Sequence, residues 1–199
     1  MTQQTIFRVF SAALALIAFA AAPAEAHTID TGSALAHGFA HPFTGLDHVL
    51  AMIAVGLWAA HLGGRARWLV PASFVGTMAL AGGAAMAGVS LPFIETAIAL
   101  TVVALGALLF ARVRMPAVLG MAVVGSFALF HGLAHSLGAP DAAGLAYGLG
   151  FVAATAILHG VGLGFGVVMM RNEGGLPRLA ARLGGGGAIA AGGVLLAIV

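Results

Sequence analysis

Long apolar stretches separated by short polar segments make up most of the chain. Six of these stretches follow residue 40, and each is close to the roughly 20 residues that a membrane-spanning helix requires; they lie at 42–62, 68–88, 92–111, 116–137, 143–169 and 180–199. Pro42, Pro92 and Pro116 stand where these helices should begin, a position at which proline's missing N–H costs nothing. The pattern predicts an all-α integral membrane protein, a bundle of six transmembrane helices.

A further apolar stretch at the N-terminus has the features of a secretory signal. Arg8 precedes an apolar core, which ends at Ala24-Glu25-Ala26, a small-x-small sequence typical of cleavage sites. We therefore predict a signal peptide over residues 1–26 and a six-helix permease domain over residues 27–199, with an uncleaved anchor helix as the alternative. Cleavage would leave His27 as the first residue, and its amine and imidazole could together chelate a metal.

Composition agrees with a membrane protein and limits its chemistry. Hydrophobic residues make up 61% of the chain, charged residues 7%, and the mean hydropathy is +1.10, values outside the soluble range. The net charge of +2 comes from arginines scattered beside apolar segments, so no basic patch for nucleic acid is expected. Cysteine is absent, so a metal must be held by histidine, carboxylate, methionine or backbone oxygen.

Arginine placement predicts the orientation in the membrane. If residue 27 is outside, the loops after the first, third and fifth helices should be cytoplasmic and carry the positive charge. The arginines beyond the signal fall in or beside those loops: Arg65, Arg67, Arg112, Arg114, Arg171, Arg178 and Arg182. We predict a multi-pass protein of the bacterial cytoplasmic membrane with both mature termini periplasmic, and with Trp58 and Trp68 in an interfacial belt.

Polar residues at the start of the first apolar stretch are the strongest functional signal. Residues 41–48 read His-Pro-Phe-Thr-Gly-Leu-Asp-His, and polar groups at this depth usually mark a site. If the helix starts at Pro42, His41 and His48 share a face, whereas Asp47 projects about 100° to one side. Asp47 could then ligate beside His48 or bond an imidazole of another helix. His37 lies in a polar lead-in, a loop or short interfacial helix.

Depth along the helices predicts that several of these groups meet. At about 1.5 Å per residue, His48 lies roughly 9 Å below the outer end of its helix, and His131 roughly 22 Å from the inner face of a core about 30 Å thick. His135 follows His131 one turn further out, and Glu95 is one turn into the third helix. Candidate metal ligands are therefore His41, Asp47, His48, His131 and His135, with Glu95 and His159 as weaker candidates.

Imidazole and carboxylate ligands suit nickel, cobalt and zinc, but each residue also has a structural interpretation. Asp47 and His48 could form only an interhelical hydrogen bond, and Glu95 would be favoured in a first helical turn by the macrodipole alone. His37 and His41 are best explained as interfacial residues, with an entry stripe formed with His48 as the alternative. His61 is best explained as a helix-end cation or interface residue. Two interpretations of His159 are equally favoured: packing in the interior, or a lower binding station on a transport pathway.

Two motifs together resemble those of the HupE/UreJ family of nickel permeases. They are His-x5-Asp-His, at His41, Asp47 and His48, and Phe-His-Gly-x-Ala-His at 130–135, and the resemblance covers essentially the whole mature chain. It implies a secondary transporter, not an enzyme, that imports nickel or cobalt for downstream metalloenzymes. The family motif continues as Gly-x-Glu, where this chain has Ser136 and Gly138.

The residues leave two other functions open. A zinc-dependent intramembrane hydrolase could use the same cluster with Glu95 as base and Ser136 nearby, and a b-type haem could take His48 and His131 as axial ligands. For the permease, the expected partners are a divalent metal ion and the lipid bilayer, with a homo-oligomer left open. No prosthetic group is expected, and the metal ion is the cargo.

Overall fold

The computed structural model describes residues 31–136, 144–170 and 175–198, and these form an all-helical bundle. The predicted signal peptide, His27 and Gly138 lie outside the described residues. Seven helices fall within the described part of the chain: α1 (Thr31–Thr44), α2 (Leu46–Leu62), α3 (Ala66–Met86), α4 (Ile94–Phe110), α5 (Ala117–Ser136), α6 (Gly144–Met170) and α7 (Gly175–Ile198).

Several of these helices have the length and composition of membrane spans. Among the described residues, α3, α5 and α6 are each long and apolar enough to cross a membrane, and α1 with α2 would make a fourth span as one bent pair. The helices α4 and α7 are apolar but shorter over their described parts. The chain is therefore a multi-pass helical membrane protein, and the count of six spans stays a prediction.

The predicted first helix is divided in two at Gly45. The axes of α1 and α2 meet at 83°, so the expectation of one helix starting at Pro42 is wrong: Pro42 lies inside α1. Thr44 Oγ1 donates to the carbonyl of His41 at 2.7 Å, and Gly45 then takes an extended conformation, with φ −104° and ψ 121°. A Cβ on Gly45 would meet Asp47 Oδ1 and His48 Nδ1, so glycine leaves room for those side chains.

The helix α2 is the centre of the bundle. It packs against α3, α4 and α6, and most of its residues are buried, including Met52, Val55 and Trp58 with no exposed surface. A helix buried on all sides must direct its polar side chains at other helices, because no lipid or water is available to them. This position explains why the histidines of α2 have protein partners.

The C-terminal end of α2 is tied to the loop between α4 and α5. Trp58 Nε1 donates to the carbonyl of Val113 at 3.0 Å, and His61 Nε2 donates to the carbonyl of Arg112 at 2.9 Å. These bonds bring the arginine-bearing ends of α2 and α4 to one end of the bundle. Trp58, expected in an interfacial belt, is fully buried, whereas Trp68 is 72% exposed.

Glycines bring α6 into backbone contact with its neighbours. A Cβ at Gly162 would meet the carbonyl of Ile53 on α2, and a Cβ at Gly56 would meet the carbonyl of His159 on α6. On α1, Gly38 lies equally close to the backbone of Tyr147. Small residues permit this approach between helices in membranes, and the approach carries the side chains of α1 and α2 towards those of α6.

Replacing Gly162 with alanine should therefore destabilise the bundle. We expect Gly162→Ala to lower the free energy of unfolding by about 1 to 3 kcal/mol, the usual cost of an added methyl group in a filled interior. Gly164, two residues along the same helix, is exposed with open space around it, so Gly164→Ala is the matched control. Thermal denaturation in detergent measures both, and equal melting temperatures would contradict the close approach.

Candidate metal site

An Asp–His pair opens α2 at the break that follows Gly45. Asp47 Oδ1 accepts the backbone N–H of His48 at 2.9 Å and lies 2.7 Å from Nδ1 of the same imidazole. The carboxylate therefore holds a proton on Nδ1 and leaves Nε2 as the nitrogen suited to a metal. Carboxylate–histidine pairs of this type orient ligands in metal sites. Asp47 was expected either to ligate a metal beside His48 or to hydrogen-bond an imidazole of another helix. The structure shows a hydrogen bond, but to the adjacent imidazole of His48.

His131, on α5, meets this pair in the interior. Its ring centroid lies 5.2 Å from that of His48, with the two ring planes at 80°, and both residues are buried. Matched depth on separate helices predicts such a meeting, and the structure brings the two rings into contact. An imidazole pair shared between α2 and α5 is the core of the candidate site.

The two ring nitrogens of His131 have different surroundings. Its Nε2 lies 3.0 Å from Thr101 Oγ1 of α4, and the same hydroxyl donates to the carbonyl of Ile98 at 2.7 Å. Its Nδ1 is buried without a hydrogen-bond partner among the described residues. A buried polar atom of this kind costs free energy unless something binds it.

His41 lies beside the pair, on α1 rather than on the same helix as His48. The bend at Gly45 nevertheless leaves the two imidazole centroids 6.5 Å apart. His41 is half-buried against Tyr147 and Phe151 of α6, with centroid distances of 5.9 and 6.1 Å. His37, one turn earlier on α1, is exposed. The structure thus places His41 at the edge of the buried cluster.

His159 on α6 forms a second buried level. Neither of its ring nitrogens has a hydrogen-bond partner among the described residues, and it is 2% exposed. The ring of Phe74, on α3, contacts both His159 and His131, with centroid distances of 5.0 and 5.5 Å. One phenyl ring therefore connects the imidazole cluster with the more deeply placed histidine.

The remaining predicted ligands are less closely associated with this cluster. Glu95 is exposed in the first turn of α4, and the side chain of His135 lies outside the described part. No group of three or more histidine, cysteine, aspartate or glutamate side chains that could hold a metal ion is found among the described residues. The described geometry therefore supplies the Asp47–His48 pair and His131, but not a complete protein coordination sphere.

Several contributors to the site were not predicted from the sequence. Thr101 carried a usable signal, since it is a hydroxyl within an otherwise apolar helix, but its partner on α5 is 30 residues away in the chain. Phe74 and Phe151 had none, because an aromatic residue in an apolar helix usually packs in the core. Tyr147 also had no signal in the sequence. In the structure its buried hydroxyl has no hydrogen-bond partner among the described residues.

A buried polar cluster at the centre of a helical bundle defines a class, the multi-pass membrane protein with an internal polar site. Comparison with known sequences identifies the family. The family model for HupE / UreJ proteins matches residues 14–196, and the chain belongs to this family. It is also similar to Protein HupE of Rhizobium leguminosarum bv. viciae, at 46% identity over 185 residues, 93% of this chain and 94% of that protein. No solved structure matches the chain.

The contact between His48 and His131 can be tested with introduced cysteines, because the chain contains none. We expect His48→Cys combined with His131→Cys to bind one Hg²⁺ between the two thiolates, since soft thiolates bind soft metals. Mass spectrometry would detect the metal, and maleimide labelling would show protection of both thiols. The control pair is His61→Cys with His131→Cys, because His61 is thirteen residues further along α2, about 20 Å away. Equal protection in both pairs would show that the imidazole contact is absent.

Proposed function

We propose that this protein is a secondary transporter that imports a divalent transition metal across the cytoplasmic membrane, with nickel as the first candidate cargo and cobalt as the second. The observation that carries the proposal is the buried contact between the Asp47–His48 pair and His131. Membership in the HupE/UreJ family supports it, and Asp47, His48 and His131 belong to the two motifs that resemble those of the family.

The proposed entry step replaces water ligands of the ion with protein ligands. His48 would bind through Nε2, oriented by Asp47, and His131 through Nδ1, while His41 would meet the ion at the edge of the cluster. His135, one turn beyond His131 on α5, is the proposed addition to this ligand set, with Glu95 as a weaker one. Imidazole nitrogens suit nickel and cobalt in the divalent order of affinity.

The proposed path continues inward to His159. Both ring nitrogens of His159 are buried without a hydrogen-bond partner among the described residues, and a buried polar atom without a partner is costly unless something binds it. Phe74 touches the rings on both levels and would separate the outer ligands from the inner one. Transport would then be a transfer between stations, passive or driven by an ion gradient, because the sequence contains no nucleotide-binding motif.

The orientation of the proposed transporter follows from its arginines. Hydrogen bonds from Trp58 and His61 place the loop of Arg112 at the same end of the bundle as the end of α2. This end would face the cytoplasm under the positive-inside rule, and the imidazole cluster near the start of α2 would face the periplasm. Metal would therefore be captured from the outer side and released at the arginine-bearing side.

The geometry favours neither of the other functions. Glu95, the base of the proposed hydrolase, is exposed rather than buried with His48 and His131. A haem with axial His48 and His131 would need a porphyrin between the two rings, whereas these rings are in direct T-shaped contact at 5.2 Å. The zinc-dependent hydrolase and the b-type haem protein are thus less consistent with the site than a permease.

Loss of either member of the buried contact should abolish transport. In proteoliposomes, we expect His131→Ala and Asp47→Asn to reduce the initial rate of radiolabelled nickel uptake at least about tenfold, the lower bound for loss of a ligand or its orienting partner. Leu129→Ala is the matched control, because Leu129 lies on the same helix and is 45% exposed.

The same assay distinguishes the cargo and the class of protein. Cobalt, zinc and manganese compete with labelled nickel, with and without a proton gradient, and the strongest competitor identifies the preferred ion. Wild-type rates in the two residue variants would remove the imidazole contact from the mechanism. Metal that is bound tightly without any net flux would favour the hydrolase instead.

Acidification should weaken metal binding. An imidazole ligates only when one nitrogen carries a lone pair, so protons compete with the metal. We expect the affinity for Ni²⁺ to fall as the pH is lowered, because protonation removes the lone pair through which an imidazole binds the ion. Equilibrium dialysis of the detergent-solubilised protein over a pH series measures this, with circular dichroism as the check on folding. An affinity that falls at no pH at which the protein stays folded would contradict imidazole ligands.

A further inference from the structure

We propose that Thr101 is a positioning residue that selects the metal-binding nitrogen of His131. Its hydroxyl holds the proton of His131 on Nε2 and thereby leaves Nδ1 as the ligand for the ion. This inference rests on the proposed transport function for the identity of the ligand, but the state of the imidazole that it describes exists in the metal-free protein.

The direction of the hydrogen bonds follows from the donor count of the hydroxyl. A threonine hydroxyl has one O–H to donate and lone pairs with which to accept. In α4, Thr101 donates to the carbonyl of Ile98, three residues earlier, at 2.7 Å, the usual bond of a threonine within a helix. While its hydrogen is donated to that carbonyl, Thr101 Oγ1 accepts from His131 Nε2, 3.0 Å away.

The alternative tautomer would leave two acceptors facing each other. If Nε2 of His131 carried the lone pair, it would oppose the lone pairs of Thr101 Oγ1 unless the hydroxyl turned its hydrogen away from the carbonyl of Ile98. Buried polar groups without a compensating hydrogen bond are costly, and His131 has no exposed surface. With the proton on Nε2, both hydrogen bonds of Thr101 are made at once. Nδ1 has no hydrogen-bond partner among the described residues in either tautomer, so the preference comes from the contact with Thr101.

The two imidazoles of the site are then held through opposite nitrogens. Asp47 holds Nδ1 of His48, so that ring ligates through Nε2; Thr101 holds Nε2 of His131, so that ring ligates through Nδ1. The partners also differ in charge, since Asp47 is a carboxylate and Thr101 offers a neutral hydroxyl.

The tautomer can be read directly by NMR. In protein labelled with ¹⁵N-histidine, protonated and unprotonated ring nitrogens have well-separated shifts, and the signals of His131 are those lost in His131→Ala. We expect the metal-free wild type to show His131 with its proton on Nε2, and titration with diamagnetic Zn²⁺ to shift its Nδ1. A proton on Nδ1 in the wild type would overturn the proposal, whatever the behaviour of any variant.

Two substitutions at Thr101 separate the hydroxyl from the shape of the side chain. Thr101→Ser keeps the hydroxyl and should leave the Ni²⁺ dissociation constant within about threefold of wild type. Thr101→Val keeps the shape, removes the acceptor and should weaken Ni²⁺ binding by about 10- to 100-fold, the usual effect of losing an orienting partner. It should also give mixed protonation of the His131 nitrogens. Thr155→Val is the matched control, since Thr155 is an equally buried threonine whose hydroxyl faces Met78 Sδ.

The results distinguish a failure of this inference from a failure of the transport function. If Thr101→Val binds Ni²⁺ like the wild type and keeps the Nε2 proton, Thr101 does not select the nitrogen, and the permease proposal is unaffected. If the wild type shows the expected tautomer but neither binds nor transports nickel, the hydrogen-bond assignment stands and the transport function fails. An equal loss of affinity in Thr101→Ser and Thr101→Val would assign Thr101 to packing and overturn the positioning role.

Discussion

Buried imidazole nitrogens need a hydrogen-bond partner or a bound ion, and this requirement shapes the interior of the bundle. In an apolar interior, a ring nitrogen that pairs with neither the protein nor a bound ion is costly. Asp47 and Thr101 each satisfy one nitrogen of a buried histidine. Under the proposed function, each pairing also sets which nitrogen would bind the ion, so the hydrogen bonds within the bundle and the proposed chemistry of the site are the same interactions.

The backbone around Gly45 makes this arrangement possible. A continuous helix from residue 42 would carry His41 and His48 on one face, one above the other. The bend of 83° instead turns α1 across the bundle, where Gly38 allows close approach to α6 and His41 reaches aromatic residues of that helix. The break therefore builds a site from α1, α2 and α5, with walls from α4 and α6, in place of a stripe along a single helix.

The sequence predicts matched depth for His48 and His131 because depth in a membrane is almost a one-dimensional problem. With the spans and their directions assigned, residue number converts to height, and the two histidines fall at one level. Direction around each helix axis depends on packing and cannot be read from depth. Trp58, expected in an interfacial belt, is buried and bonded to Val113, and depth alone does not single out Thr101.

The class of protein, the family and the motif residues can be read from the sequence, since apolar length, arginine placement and motif spacing are all local properties of the chain. Which atoms of these residues meet depends on the tertiary structure. The pairing of Asp47 with the imidazole next to it, of Thr101 with His131, and of Phe74 with two histidines depends on helix rotation and on a bend at one glycine. These are set by close packing between segments far apart in the chain, which no periodicity within a single segment records.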